Sequence, residues 1–192
     1  MKIQSVSKEA FRTTEWSGGT TTEFFIYPPG ADYKSRDFKA RISSAYVADE
    51  HSKFTSLVGV TRYLVPLSKE ITLNIQGENV NLSPYEIIKF SGEDEVESFG
   101  VCQDFNLMLK HAGGMMECVY ATNRGVSINV KERTIVALYC YEGEARLVTK
   151  DKTEVDFDAD RLLLMELDGM YNEESVQVFA DHRHVIICHI EL

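Results

Sequence analysis

Residues 71–90 read ITLNIQGENVNLSPYEIIKF, and their pattern predicts the fold class. Apolar and polar residues alternate over 71–75 and again over 80–82, a period of two that is typical of β-strands with one buried face. Gly77 separates the two runs and Ser83-Pro84 follows the second, so turn-forming residues close each strand. The stretch therefore predicts three short strands joined by tight turns.

The same pattern returns in the second half of the chain. Leu64 aligns with Leu138 at an offset of 74 residues, and Leu82 aligns with Phe157 at an offset of 75 after one inserted residue. Several matches in register indicate two copies of one β unit. The competing interpretation is that any two strand–turn–strand stretches can be superposed.

Composition and charge restrict the class of protein. The chain has 192 residues, 44% of them apolar, and it carries 30 acidic against 20 basic side chains, a net charge of −10. Such an acidic balance argues against nucleic-acid binding. No apolar run approaches the roughly 20 residues that span a bilayer, and the N-terminus has no stretch of signal-peptide type.

The four cysteines indicate the compartment. Cys102, Cys118, Cys140 and Cys188 form no CxxC pair and no zinc knuckle, which indicates buried, reduced thiols. We therefore expect a cytoplasmic protein that binds neither nucleic acid nor a membrane.

The strand pattern suits a double-sheet jelly roll. Its order of strand, turn, strand, Pro and strand resembles the half-motif of the cupin fold, and two copies make a bicupin, two cupin-type barrels in one chain. We place the N-terminal barrel at residues 1–112 and the C-terminal barrel at residues 113–192, with the boundary at Gly113-Gly114. Each barrel would present one open mouth, the usual place for a small ligand.

The metal site of enzymatic cupins has no counterpart in this sequence. That pattern supplies an HxH pair, then a Glu, then a distant third His. Near those positions the chain has Phe54, Ser56 and Arg62 in the first half, and Ile128, Val130 and Val136 in the second. We therefore expect no bound metal and no other cofactor.

One HxH pair occurs elsewhere, as His182-Arg183-His184, with His189 nearby. The pair follows the hairpins instead of preceding them, and His189 has the opposite strand parity. We expect His182 and His184 at a turn and a strand end on the surface. The alternative is a metal-ligand set that includes Asp181.

The segment Trp16-Ser17-Gly18-Gly19-Thr20-Thr21-Thr22-Glu23 contains the only Trp of the chain. Its glycine pair allows close backbone approach, and its threonines supply hydroxyls. On a strand, Thr20 and Thr22 would point to one side, and Thr21 and Glu23 to the other. The segment can line a polar, anion-tolerant pocket; the alternative is a glycine bulge that leads into a solvated edge strand.

Two arginines, Arg41 and Arg62, lie in apolar strand patterns. Arg62 has the parity of Leu64, which predicts that it points into a barrel at the end of its strand. A buried guanidinium needs a partner, and Glu23, Asp104 or a ligand carboxylate can supply it. The alternative is a salt bridge at the rim.

Asp104 and Asn106 alternate with Phe105 and Leu107. If the apolar face of this strand is core, Asp104 and Asn106 face a groove or solvent. Asp104 can then orient an arginine or act as a base. The alternative is that both residues cap a turn.

These segments together resemble the HutD/Ves family. The resemblance is carried by residues 16–23, 38–45, 54–62, 90–93 and 104–108, whose order and spacing cover the first 110 residues or so. It implies a cytosolic bicupin without a bound metal. Members are encoded with histidine-utilisation genes in many bacteria and are thought to moderate that pathway by binding a small carboxylate, urocanate or formylglutamate.

Carried over residue by residue, the resemblance implies a pocket that includes Trp16, Gly18, Gly19, Thr20, Glu23, Arg62, Asp104 and Asn106. To these we add Ser17, Thr22 and Arg41 as candidate ligand-binding residues. Many members have Asn where Ser17 stands, and Ser lacks the two amide donors, so the ligand need not be the same.

The leading hypothesis is a metabolite-binding protein. Arg62 would hold an anionic carboxylate, Thr20 or Thr22 and the Gly19 N–H would add neutral donors, and Trp16 would form an apolar wall.

The alternative hypothesis is a metal-free isomerase or hydrolase that acts on a small carboxylic acid, with Glu23 or Asp104 as general base. A pocket carboxylate with a raised pKa would favour the enzyme, and one held in an Arg ion pair would favour plain binding. A third interpretation is action through a protein partner. Exposed strand edges make a homodimer our expectation for the assembly.

Overall fold

The computed structural model describes residues 1–167, 169 and 172–191, and these residues form β-strands with one short 3-10 helix, Lys8–Ala10. The prediction of an all-β protein is confirmed. None of the described residues forms a helix long and apolar enough to cross a membrane. In chain order the strands are β1 (Lys2–Ser7), β2 (Arg12–Trp16), β3 (Gly19–Tyr27), β4 (Ala40–Val47), β5 (His51–Lys53), β6 (Val60–Pro66), β7 (Ile71–Ile75), β8 (Glu78–Leu82), β9 (Ile88–Ser91), β10 (Val96–Phe99), β11 (Cys102–Lys110), β12 (Gly113–Ala121), β13 (Val126–Lys131), β14 (Thr134–Tyr139), β15 (Ala145–Val148), β16 (Glu154–Phe157), β17 (Arg161–Glu166), β18 (Glu173–Ala180) and β19 (Arg183–Glu191).

The strands divide into two compact units. The first unit comprises residues 11–112, and the second comprises residues 1–10 together with the chain from residue 113 onward. The predicted N-terminal barrel, residues 1–112, therefore differs from the first unit in its first ten residues. Strand β1 pairs antiparallel with β17, with Ile3 opposite Met165, and Ile3 packs against the core of the second unit.

Each unit contains two antiparallel sheets. In the first unit one sheet has the order β2-β3-β4-β11-β6-β9 and the other the order β5-β10-β7-β8. In the second unit the sheets have the orders β1-β17-β14-β19-β12 and β13-β18-β15-β16. The larger sheets therefore share a run of four strands, which is β4-β11-β6-β9 in the first unit and β12-β19-β14-β17 in the second. The two smaller sheets correspond in all four of their strands.

The register of the strands reproduces the offset seen in the sequence. In the first unit Arg62 lies opposite Phe90, and in the second Val136 lies opposite Met165. The two equivalent pairs are 74 and 75 residues apart, the offsets found in the sequence. The two halves thus share strand order and register although they share few residue identities.

The interior of the second unit is filled by apolar side chains. Leu138, Leu147, Leu163 and Val185 are fully buried members of one cluster. The first unit has two smaller clusters, one that includes Leu64 and one that includes Phe38. A cavity remains open in this unit beside them.

The filled interior makes a prediction about stability. Leu138→Ala should lower the free energy of unfolding by about 2–5 kcal/mol, because the cavity it leaves is enclosed on all sides. Thermal or urea unfolding measures the change. Val58 is 76% exposed, so Val58→Ala is the matched control and should change stability by less than about 0.5 kcal/mol. Equal small effects of both substitutions would show that the second unit is not packed as described.

Candidate functional site

A cavity of about 690 Å³ opens in the first unit. Its walls come from strands β2 to β6 and β11 and from the loop that joins β3 to β4. Trp16, Phe54 and Met108 supply apolar surface, and Arg62 and Asp104 supply charge. This mixture of apolar walls and a few convergent polar groups is typical of small-molecule sites.

Strand alternation places the polar groups in the cavity. Asp104 and Asn106 line the cavity, while Phe105 and Leu107 point to the opposite face of β11 and are fully buried. On β6, Arg62 shares its face with Leu64, which belongs to the apolar cluster of the unit. The prediction that Arg62 points inward from its strand agrees with its position. For Asp104 and Asn106 the strand pattern left a groove or solvent open, and the structure places both side chains in the cavity lining.

The second unit has apolar residues at the equivalent positions. Asn106 lies opposite Leu64 as Ile187 lies opposite Leu138, so Asn106 corresponds to Ile187. By the same register Arg62 corresponds to Val136. Val136 and Ile187 are buried in the core of the second unit. Polar residues thus occupy, in the first unit, positions that would otherwise be filled core.

Arg41 and Glu23 form an ion pair in the cavity. The Arg41 Nε donates to Glu23 Oε2 at 2.7 Å, and its Nη1 donates to the Ser43 hydroxyl at 3.1 Å. The Arg41 guanidinium also lies 4.2 Å from the centroid of the Tyr33 ring. Arg41 is therefore satisfied by protein groups, and Glu23 is the carboxylate that balances its charge.

Arg62 is buried without a counter-ion at ion-pair distance. It is 5% exposed, its Nε has no hydrogen-bond partner, and the charge of Asp104 acts on it only from beyond ion-pair distance in the described part of the chain. Its guanidinium lies 4.6 Å from the Phe54 ring centroid and 5.3 Å from that of Phe90, so aromatic faces are its main support. Burial lowers the pKa of Arg62 to about 10, which still leaves it charged at neutral pH. An unpaired buried cation of this kind is unfavourable in the empty protein.

Asp104 is buried without a cation at ion-pair distance in the described part of the chain. It is 3% exposed, and its Oδ1 accepts hydrogen bonds from the Ala45 N–H at 3.0 Å and from the Asn106 amide at 2.6 Å. Burial raises the pKa of Asp104 to about 7, although those two donors and the charge of Arg62 act in the opposite direction. Asn106 Oδ1 is itself enclosed and accepts no hydrogen bond from the described residues.

The structure brings together six of the predicted site residues and not the other five. Lining the cavity are Trp16, Glu23, Arg41, Arg62, Asp104 and Asn106. Absent from its lining are Ser17, Gly18, Gly19, Thr20 and Thr22. On β3 the cavity face is that of Thr21 and Glu23, so Thr20 and Thr22 point to the opposite face. The expectation that Thr20, Thr22 and the Gly19 N–H contact the ligand does not fit this geometry.

The glycine pair serves backbone packing. A Cβ on Gly19 would lie 1.9 Å from the Tyr46 carbonyl oxygen, and one on Gly18 would lie 2.2 Å from the Trp16 ring. Only glycine fits at position 19, because the Tyr46 backbone cannot move away, whereas a Cβ at position 18 would displace the Trp16 ring. Gly18-Gly19 therefore allows β3 and Trp16 to pack as they do.

Sequence reasoning missed several residues of the cavity wall, among them Thr21, Tyr33, Ser43, Phe54 and Met108. Parity contained the signal for three of them, because Thr21 shares the face of Glu23, Ser43 shares that of Arg41, and Met108 shares that of Asn106. The Thr21 hydroxyl accepts a hydrogen bond from the Trp16 indole N–H at 3.2 Å, which fixes the indole at the edge of the cavity. Tyr33 comes from a loop and Phe54 from a strand end, and no strand pattern predicts either position.

The C-terminal histidines are engaged with neighbouring side chains. His182 and His184 lie 5.9 Å and 5.0 Å, centroid to centroid, from the Tyr120 ring. His189 Nε2 lies 2.9 Å from Glu117 Oε1. Among the described residues, no group of three or more His, Cys, Asp or Glu side chains is arranged to hold a metal ion.

A groove of about 860 Å³ on the second unit is the other concave surface of note. It is lined in part by Arg146, which is half exposed and already paired with Glu154 at 2.9 Å and Asp156 at 2.7 Å. A solvated, paired arginine has little to gain from an anionic ligand. The cavity of the first unit is therefore the stronger candidate.

Comparison with known proteins identifies relatives of the whole chain. The family model described as HutD matches residues 8–183. A conserved protein of unknown function from Pseudomonas aeruginosa PAO1, PA5104, is 18% identical, with a TM-score of 0.85 and 100% of both chains covered. HutD from Pseudomonas fluorescens SBW25 is 18% identical, with a TM-score of 0.76 and coverage of 99% of this chain and 98% of that one.

A more distant structure belongs to a cupin. The cupin 2 conserved barrel domain protein from Leptotrichia buccalis is 9% identical, with a TM-score of 0.60 and coverage of 100% of this chain and 98% of that one. At this identity the likeness concerns the fold alone, which is cupin-like. No curated protein matches the sequence.

Arg41 has an ion-pair partner and Arg62 has none among the described residues, and this difference predicts opposite effects of their substitution on stability. Arg62→Met should raise the free energy of unfolding by about 1–3 kcal/mol, because it removes an unpaired buried charge at a position equivalent to Val136. Arg41→Met is the matched control and should lower it by about 3 kcal/mol, because Glu23 would lose its partner. Thermal unfolding without ligand measures both. Equal destabilisation by the two variants would show that Arg62 has a partner within the protein.

Proposed function

The chain belongs to the HutD family, and from that membership and the cavity of the first unit we propose that it binds a small carboxylate metabolite without a metal ion. Family membership associates the protein with histidine utilisation. Urocanate and formylglutamate are the candidate ligands that this association suggests. We also propose that the two units are the two barrels of a cytoplasmic bicupin, with the site in the first.

The buried, unpaired guanidinium of Arg62 is the observation that carries this proposal. A carboxylate is the anion whose geometry matches the two N–H edges of a guanidinium. Binding would supply the counter-ion that the protein does not provide, so the charge that is unfavourable in the empty cavity becomes a source of affinity. The net charge of −10 opposes anion binding in general, which makes a local cation the necessary feature.

The two candidate bases, Glu23 and Asp104, give opposite indications about catalysis. Glu23 is held by Arg41, which fits plain binding and removes one candidate base. Asp104 has a pKa raised to about 7 by burial, which is suited to a general base at neutral pH. The second candidate function is therefore a metal-free isomerase or hydrolase of a small carboxylic acid, with Asp104 as the base.

Ligand-dependent thermal stability tests the binding proposal. We expect urocanate or formylglutamate to raise the melting temperature, with or without EDTA, because a ligand of the folded state stabilises it by mass action. Glutamate, histidine and formate are the comparison ligands. A loss of stability on EDTA, with no rise for any acid, would contradict a metal-free carboxylate site.

Substitution of Arg62 tests which residue holds the ligand. Arg62→Met should weaken binding by roughly 10- to 150-fold in titration calorimetry, since a hydrogen bond to a charged group contributes about 1.5–3 kcal/mol. The control is Arg146→Met on the second unit, which removes an exposed arginine and should leave the affinity unchanged. Unaltered affinity in the Arg62 variant would remove the basis of the proposal.

Prolonged incubation separates binding from catalysis. Protein at high concentration is mixed with each bound acid for a day, and the acid is followed by NMR. Recovery of the unchanged acid is expected for a binding protein. Conversion that is abolished in Asp104→Asn would establish the enzyme instead.

A further inference from the structure

Arg62 and Asp104 occupy one cavity and do not pair with each other. Neither residue has an oppositely charged group at ion-pair distance in the described part of the chain, although each is at least 95% buried. A buried acid and a buried base would normally be placed in contact, since each satisfies the other. Both line the same cavity, and the charge of each acts on the pKa of the other, so an anion in the cavity meets both electrostatically.

The hydrogen bonds of Asp104 leave one oxygen available. Its Oδ1 accepts from the Ala45 N–H and from the Asn106 amide, while Oδ2 accepts no hydrogen bond from any described residue. A carboxylic acid proton on Oδ2 would therefore meet no competing donor. Asp104 lines the cavity, so that proton is available to a ligand.

The charged groups around Asp104 determine which cation an incoming anion meets. The cavity lining brings to Asp104 the titratable groups Arg62 on β6, Arg41 on β4, Glu23 on β3, Lys53 on β5 and Tyr33 in the loop after β3. Cys102, on its own strand, lies outside the lining, and the charge of Asp104 acts on the pKa of that thiol. Arg12, Glu15, Asp32 and Lys34 are the remaining charged groups of the lining. Glu23 already neutralises Arg41, so Arg62 is the cation that an incoming anion meets in the buried part of the site.

A carboxylate bound to Arg62 changes the relative stability of the ionised and the protonated form of Asp104. If Asp104 stays ionised, two carboxylates share a buried site and repel each other. If Asp104 takes up a proton, its O–H becomes a donor to the ligand anion, which forms a short charge-assisted hydrogen bond. The second arrangement satisfies Arg62, Asp104 and the ligand together.

We propose that Asp104 is a second recognition residue for the ligand carboxylate and acts as a neutral acid, so that binding of the anion takes up one proton from solvent. The inference rests on the proposed function, since it needs an anion at Arg62. It assigns Asp104 a role in binding and makes the affinity of the site dependent on pH. The free protein is ready to bind in mildly acidic solution, where Asp104 is already protonated.

The sign of the pH dependence follows from the state of the free protein. The pKa of Asp104 without ligand is about 7, and an anion at Arg62 raises it further. Below pH 7 the free protein carries the proton and the affinity is constant. Above pH 7 the proton must be taken up on binding, so the affinity should fall by about tenfold per pH unit.

Titration calorimetry with N-formyl-L-glutamate tests the inference, because this ligand has no group that titrates between pH 6 and 9. Measurements at pH 8 in Tris and in HEPES, which differ in protonation enthalpy, count the protons bound. The wild type should take up close to one proton at pH 8 and almost none at pH 6. Its dissociation constant should rise about fivefold from pH 7 to pH 8 and approach a tenfold rise per pH unit above that.

Asp104→Asn is the decisive variant, because the amide has the shape of the acid and donates without titrating. It should bind within about threefold of the wild type at pH 6, show no pH dependence and take up no proton. Glu78→Gln, at an exposed position on β8 outside the cavity, should behave as the wild type. The histidines of this unit, His51 and His111, lie outside the cavity lining and remain in every variant.

The outcomes separate the two proposals. Binding without proton uptake, or proton uptake that persists in Asp104→Asn, would overturn the role of Asp104 and leave carboxylate binding intact. Failure of both proteins to bind either N-formyl-L-glutamate or urocanate at any pH from 5.5 to 8.5 would overturn both proposals. A cooperative thermal unfolding transition of Asp104→Asn shows that the variant is folded before either conclusion is drawn.

Discussion

The buried guanidinium of Arg62 is the interaction on which the candidate site depends. A charge that lies against Phe54 and Phe90, with no counter-ion at ion-pair distance among the described residues, lowers the stability of the empty protein. A loss of stability of this kind is common at binding sites, where a group is held ready for a ligand. The arrangement is specific because Arg41, in the same cavity, has an ion pair with Glu23 and a hydrogen bond to Ser43.

The two units show how one β framework serves two purposes. Strand order and register are the same, yet the second unit has Val136 and Ile187 where the first has Arg62 and Asn106. A filled interior gives stability, and exchange of a few inward residues for polar ones opens a cavity. The framework itself does not depend on these positions, because strand pairing and the opposite faces of the strands supply its cohesion.

Strand parity explains most of what the sequence could predict. Alternation predicted an inward Arg62 and placed Asp104 and Asn106 together on one face of their strand, toward a groove or solvent. The offset between the halves indicated two copies of one β unit, and the strand order repeats accordingly. Parity also separated Thr20 and Thr22 from Thr21, but it does not indicate which face of β3 lines the cavity. The pairing of residues 1–10 with the second unit is a contact across the length of the chain, and no local pattern predicts it.

The most direct test of the account is a crystal structure of the protein with N-formyl-L-glutamate at pH 6. The account predicts a ligand carboxylate oxygen about 2.7–3.1 Å from an Arg62 Nη atom, with a second contact to Asp104 Oδ2. The ion pair of Arg41 with Glu23 should remain intact. A ligand bound in the groove of the second unit, or an Arg62 that stays without a counter-ion beside a bound ligand, would contradict the central claim.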